Sequence, residues 1–243
     1  MRQVESRILY ESGRYLAINK LPGEAVEGAG PGMTDLSRLL TEQYGTGGKS
    51  RPFPVTAVHR LDAPVSGCVL FARTQDAFRA ASALFAEGPG GVEKRYWAIV
   101  EMPDASAGPL AEAEELVHWI YRDRRRNKSL AFDASGPGRK RGILRYRVAG
   151  QGERYLFLEI ELITGRSHQI RAQLAALGVH IKGDLKYGAR RSEKNGGIRL
   201  HARSLAFRTP LPGGETIRLT APPPIRDRLW EDFEKHADGT AGL

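Results

Sequence analysis

A single cysteine, Cys68, stands among 243 residues, so no internal disulfide can form. There is no C-x-x-C pair, and the six histidines show no metal-ligand spacing, so no metal site is expected. A lone thiol of this kind points to a reducing compartment. No apolar run approaches the roughly 20 residues of a membrane span. Residues 1–10 mix Arg2, Glu5 and Arg7 with apolar side chains and so lack the core of a signal peptide. The expectation is a soluble cytoplasmic protein. Internal repeats, an interdomain linker and a G-x-S-x-G nucleophile elbow are also missing. Gly45-Thr46-Gly47-Gly48-Lys49-Ser50 approximates a phosphate-binding loop, but Gln43 stands where its first glycine belongs, and Pro52 and Pro54 block the helix that should follow. A nucleoside triphosphate site is therefore not expected, and Ser66 and Ser167 are read as capping or turn residues.

What is present is a folded chain with an uneven charge. Hydrophobic residues make up 41% of the sequence and fall in periodic runs, which excludes disorder of the whole. The length allows a substantial core. The net charge is +9. Ten basic residues (Arg122, Arg124, Arg125, Arg126, Lys128, Arg139, Lys140, Arg141, Arg145 and Arg147) face only Asp123 and Asp133 between positions 122 and 147, a local net of +8. Such a concentration attracts polyanions and makes nucleic acid the first partner to consider; a solvated loop is the plain alternative.

Residues 14–20 form a short strand by pattern, closed by Leu21-Pro22-Gly23. Thr34 and Asp35 can cap a helix through about Gln43. A strand follows over 68–73, then a helix over 75–87 with Phe78, Ala81, Leu84 and Phe85 on one face, then a strand over 94–100. The clearest strand is 153–163, with Leu156, Leu158, Ile160 and Leu162 on one side and Glu159 and Glu161 on the other. Ser167 can cap a helix carrying Ile170, Leu174 and Leu177 before Gly178. Two strands, 199–209 and 215–220, precede a short amphipathic helix marked by Ile225, Leu229 and Phe233. The Gly/Pro loops at 23–32 and 45–54 and the basic stretch are expected as insertions around one body. The fold class is thus α+β, a single domain with a large, mostly antiparallel mixed sheet flanked by helices and loops. The domain is expected over 1–236, with a frayed tail at 237–243.

Three separated segments carry the chemistry: His59-Arg60-Leu61-Asp62, then Lys94-Arg95-Tyr96-Trp97, then Thr164-Gly165-Arg166-Ser167-His168-Gln169-Ile170-Arg171 continuing to Gly183-Asp184-Leu185-Lys186-Tyr187-Gly188. A carboxylate on a loop at a strand's edge, two residues from an arginine, suits a nucleophile or base acting on a polyanion. In this order and spacing the segments resemble the RluA-type family of RNA pseudouridine synthases, from Ile18-Asn19-Lys20-Leu21-Pro22-Gly23 to Leu200-His201-Ala202-Arg203-Ser204-Leu205.

The resemblance implies the pseudouridine synthase fold with a central cleft. It also implies an enzyme that breaks the uridine C1′–N1 bond, turns the uracil and rejoins it through C5, without metal or organic cofactor. Asp62 matches the catalytic aspartate, which either attacks as a nucleophile or removes a ribose proton. Arg171 matches the arginine that pairs with it, holding it charged and oriented. Tyr96 matches the tyrosine against the flipped base. Arg60 matches a residue that fills the gap in the RNA stack or grips a phosphate, and Ile163 the apolar lining of the base pocket. Taken alone, these have plainer explanations: a loop ion pair for Asp62, core for Tyr96 and Ile163, a helix-surface charge for Arg171. The joint match favours the functional one for Asp62, Tyr96 and Arg171. His59, His168 and His201 are expected to support and pack, Gly67, Gly165, Gly183 and Gly188 to serve tight turns, and Asp184 to brace its loop through backbone hydrogen bonds.

Pro64-Val65 and His180 depart from the family pattern, which bears on local loop geometry, and no separate N-terminal S4 domain is expected. Recognition of a structured RNA, a ribosomal or transfer RNA stem-loop, would then fall to the catalytic body, with Arg124, Arg125, Arg126, Lys128, Arg139, Lys140 and Arg141 as the candidate RNA-contacting surface. A monomer without an obligate protein partner is the default, and a noncatalytic RNA-binding or RNA-folding protein is the rival.

Overall fold

A computed structural model describes residues 4–30, 34–45, 53–88, 90–103, 108–209 and 214–239. The phosphate-loop-like residues 46–50 lie outside them. In chain order the elements are β1 (Ile8–Glu11), β2 (Tyr15–Lys20), α1 (Leu36–Tyr44), β3 (Thr56–Ala57), β4 (Ser66–Ala72) and α2 (Gln75–Ala86). There follow β5 (Glu93–Glu101), β6 (Ala113–Asp123), β7 (Lys128–Phe132), β8 (Arg139–Gln151), β9 (Tyr155–Leu162) and α3 (Gln169–Ala176). The chain ends with β10 (Leu200–Arg208), β11 (Thr216–Thr220) and α4 (Arg228–Gly239). This is the expected α+β class, and its contacts concentrate in two compact units, residues 1–93 with 202–224 and residues 94–201 with 225–243.

In the first unit, β2 pairs antiparallel with β1 and β4, β3 with β4, and β10 with β11. Every residue of β2 and β4 is buried, so both strands read as near-continuous apolar runs rather than alternating ones. Tyr15, Leu70, Phe207 and Leu219 pack with Ala77 and Ala81 of α2. Cys68 belongs to the same core; burial pushes its thiol up to about 12. Helix starts follow side-chain chemistry: Asp35 Oδ1 accepts from Arg38 N–H at 2.9 Å, and Thr74 Oγ1 from Ala77 N–H at 3.2 Å.

In the second unit the strand order is β5-β9-β8-β6-β7, antiparallel throughout. β9 alternates as its sequence dictates, although Phe157 on its charged side is also buried, beneath Phe233 of α4. α4 starts at Asp227, whose Oδ1 accepts from Trp230 N–H at 3.2 Å and whose carboxylate takes both terminal nitrogens of Arg199.

Three expectations are corrected. The basic stretch is not a loop insertion but the end of β6, all of β7 and most of β8. Its charges decorate a strand meander: Arg145 and Arg147 reach Glu161 and Glu159 across the β8–β9 ladder. The supposed tail is helical to Gly239 with Ala237 buried, while 240–243 lie outside the described residues. Gly67 serves no turn. It sits inside β4 at φ +117°, where a Cβ would lie 2.3 Å from the Ala202 carbonyl oxygen, so only glycine fits. Gly165, by contrast, has a φ open to any residue and open space around it. Gly67→Ala is expected to cost roughly 2–5 kcal/mol through strain and overpacking, read as a lowered urea midpoint.

Candidate active site

Of the five residues expected at the site, Arg60 and Asp62 lie in the first unit and Tyr96, Ile163 and Arg171 in the second. Asp62 is half-buried and opens a turn closed by Val65 N–H donating to its carbonyl at 3.0 Å. That turn is clamped from below. Lys20, at the end of β2 opposite Gly67, is wholly buried, and its ammonium donates to the carbonyls of Ala63 (2.8 Å), Val65 (2.6 Å) and Leu21 (3.0 Å). Gly23 N–H donates to the same Ala63 carbonyl at 2.8 Å. An ammonium has three protons and here each meets an oxygen, which is how a lysine tolerates burial. Burial lowers the Lys20 pKa from 10.5 to about 8, against the pull of the Glu24 and Asp62 charges and with a small push from Arg7. The Asp62 turn thus sits within the field of a fixed buried cation.

His59 accepts from Leu70 N–H at Nε2 (3.1 Å) and stacks on Phe85 with ring centroids 4.7 Å apart. Accepting at Nε2 puts the ring proton on Nδ1. This is the supporting role expected of it. Arg60 is exposed.

In the second unit, Tyr96 of β5 faces Ile160 of β9, which faces Tyr146 of β8; cross-strand partners share one side of a sheet. Tyr96 is almost completely buried there. α3 packs against that side over β6 and β7, where Gln173 Nε2 donates to the Leu116 carbonyl at 3.1 Å. Ile163 is half-buried just past β9, its N–H donating to the Ile143 carbonyl at 3.2 Å. Ser167 does not cap α3. The helix begins at His168 in the left-handed region (φ +53°) without a side-chain cap. Gln169 orders the segment instead, accepting from Thr164 Oγ1 (2.8 Å) and Arg166 N–H (2.9 Å) and donating to the Ile143 carbonyl (3.1 Å).

Arg171 is buried and gives Nε and Nη2 to Asp184 Oδ2 and Oδ1 at 2.6 and 2.8 Å, a bidentate pair whose side chains are only 4% and 2% exposed. Asp184 was expected to brace its loop by backbone hydrogen bonds. Its main chain does so, accepting from Tyr187 and Ala189 N–H, but its carboxylate serves the arginine. The Arg171 guanidinium also lies 4.8 Å from the Tyr187 ring centre. Tyr187 in turn is fixed by Ser129, accepting from its N–H at 2.8 Å and donating to its carbonyl at 3.0 Å. His168 Nδ1 completes the group, 2.9 Å from the Tyr187 hydroxyl.

The basic stretch reaches this cluster at two points. Arg122 Nη1 approaches His168 Nε2 at 3.5 Å, and Lys128 Nζ sits 4.7 Å over the Tyr187 ring. Arg124, Arg125 and Arg126 are exposed on the β6–β7 turn, as are Lys140 and Arg141 at the start of β8, while Arg139 lies over the Phe132 ring at 3.7 Å. Among the described residues no three His, Cys, Asp or Glu side chains cluster as a metal site requires. Lys20, Asp184 and Tyr187 were not singled out from sequence as partners in the site. All three stand inside the quoted motifs, which was the available signal.

Comparison with known proteins gives the family and the fold. The family model for RNA pseudouridylate synthase matches residues 14–176. An uncharacterized RNA pseudouridine synthase of Zymomonas mobilis is 30% identical over 201 residues, 82% of this chain and 86% of that protein. The ribosomal large subunit pseudouridine synthase D of Xanthomonas campestris is 31% identical over 258 residues, 98% of this chain and 73% of that one. In fold, the structure of human RNA Pseudouridylate Synthase Domain Containing 4 matches with a TM-score of 0.69 and 22% identity, covering 97% of this chain and 94% of that one. The class so defined is an RNA-modifying isomerase. Within it, the chain belongs to the RluA-type family of RNA pseudouridine synthases.

Two outcomes follow from the buried charges. The unfolded chain keeps the Lys20 proton up to about 10.5 whereas the folded one releases it near 8, so between these values the unfolded state binds more protons and this group favours folding increasingly as pH rises. Lys20→Met should remove that slope, on the order of 3 kcal/mol across the window, in denaturant titrations run at successive pH values. Asp184→Ala leaves a buried guanidinium without its fork partner and should cost about 3–5 kcal/mol, measured in the same way.

Proposed function

We propose that this RNA pseudouridine synthase acts on specific uridines of structured RNA, in a ribosomal or transfer RNA stem-loop, with Asp62 as its catalytic carboxylate and Tyr96 and Arg171 as its partners in catalysis. The observation that carries the reading is the Asp62 turn. Asp62 is half-buried, and the turn's Ala63 and Val65 carbonyls are gripped by the buried Lys20. Such a carboxylate is pre-positioned at little cost when RNA binds.

Chemically, the uridine leaves its stack, at a cost of a few kcal/mol. Asp62 then either attacks C1′ or removes a ribose proton; the C1′–N1 bond breaks and the uracil turns. As C5 bonds to C1′, the Asp62–C1′ ester bond breaks in the first route, or the ribose takes its proton back from Asp62 in the second; the C5 proton leaves and N1 ends protonated, so the isomer has the atoms of the uridine and Asp62 is restored. Tyr96 offers a flat ring for the freed base, Ile163 an apolar wall, and Arg60, exposed beside Asp62, a cation for the phosphate chain or the vacated stack. The family resemblance gives Arg171 the part of keeping the catalytic carboxylate charged and oriented; its guanidinium is itself held rigid by the bidentate pair with Asp184. Arg124, Arg125, Arg126, Lys128, Arg139, Lys140 and Arg141 supply the cationic surface. The enzyme is read as a cytoplasmic monomer that needs no cofactor.

Asp62→Asn should lower pseudouridine formation by at least about 10³-fold while folding and RNA affinity persist. The measurement is pseudouridine mapping of cellular RNA from cells with the wild-type gene, without it, and with the variant. A site lost in both mutant strains names the substrate. Full activity of Asp62→Ala would end the assignment, and free uracil as product would mark a hydrolase instead.

A further inference from the structure

The side of the β6–β8 meander turned away from α3 carries a surface that the active site does not use. Cross-strand register puts Val117, Trp119 and Tyr121 on that side, with Trp119 opposite Phe132 and Arg141, and Tyr121 opposite Arg139. The other side of β6 is the one α3 covers, through Gln173 at Leu116 and His118. Val117 and Tyr121 are 39% and 41% exposed, two of the four large hydrophobic residues so exposed among the described residues. Trp119, between them, is partly exposed.

Charge decides what fits on this apolar strip. Farther along the same face, Arg145 and Arg147 are matched by Glu115, Glu161 and Glu159. Beside Trp119 and Tyr121 the facing residues are Arg139 and Arg141, and the exposed Arg124 and Arg125 lie at the tip with Arg126, which pairs with Asp123. A second copy docked face to face would bring like charges together. An RNA strand meets both demands, since bases stack on aromatic rings and guanidinium planes while phosphates take the arginines.

We propose that this face binds single-stranded RNA, stacking unpaired bases of the substrate on Trp119 and Tyr121. The proposal rests on the reading above and deepens it, because it assigns a second contact surface to the same RNA substrate. It also divides the basic stretch: Arg122 and Lys128 serve the Tyr187 cluster, and Arg139 and Arg141 the outer face.

The test uses the full chain. Of its three tryptophans, Trp97 and Trp230 are only 6% and 4% exposed, so quenching of tryptophan emission by RNA reports on Trp119. Oligouridine should quench the emission and a blunt-ended RNA duplex should not. Trp119→Leu should abolish the quenching. Tyr121→Ala should weaken oligouridine binding roughly tenfold or more, and Tyr121→Phe, which keeps the ring, should restore it. Arg139→Gln with Arg141→Gln should reduce the salt slope of binding by about 1.4; Arg124, Arg125 and Arg126 changed together give the comparison for the tip. Circular dichroism checks that each variant folds, and should Tyr121→Ala fail to, the Trp119 quenching and the arginine pair still decide. Unquenched emission with undiminished affinity in the variants overturns the proposal, as does a concentration-dependent dimer that Tyr121→Ala dissolves. An active wild-type enzyme that is not quenched refutes this surface alone. A quenched protein that forms no pseudouridine in any cellular RNA refutes the catalytic reading alone.

Discussion

A buried cation must find oxygen acceptors, and in both units of this protein those acceptors lie on the motif segments that hold the candidate site residues. Lys20 meets the carbonyls flanking Asp62, and Arg171 meets the Asp184 carboxylate on the loop that also positions Tyr187. An ion taken out of water and left unmatched costs several kcal/mol. The core of each unit therefore cannot close properly unless its motif loop is in place. Packing and site assembly are one event rather than two.

The sequence exposed those parts of the fold whose physics is local. β9 shows its alternation because one face is aliphatic and the other holds Glu159 and Glu161. α1 and α2 begin where Asp35 and Thr74 can cap them. The candidate site was legible only as motif residues, Asp62, Tyr96 and Arg171 among them.

What stayed hidden depends on neighbours distant in the chain. β6 has apolar residues on both faces, Leu116 and Ile120 inward and Val117, Trp119 and Tyr121 outward, so the period of two that marks a half-buried strand is blurred. In β8 the arginines resemble a charged loop until the glutamates across the ladder are known. The start of α3 is ordered by Gln169 reaching back to Thr164 and Ile143, which a rule that looks for serine at a helix start cannot anticipate. That Asp184 serves a guanidinium thirteen residues earlier is likewise a fact of three dimensions.

Cys68 is the sole thiol in the chain, and it is packed inside β4 and held protonated at neutral pH. Thiol-directed reagents should therefore pass the native protein by. Any cysteine introduced at the surface becomes the one handle for a spectroscopic label or a photocrosslinker. The path of a bound RNA can then be traced point by point without first stripping the chain of competing sulfur.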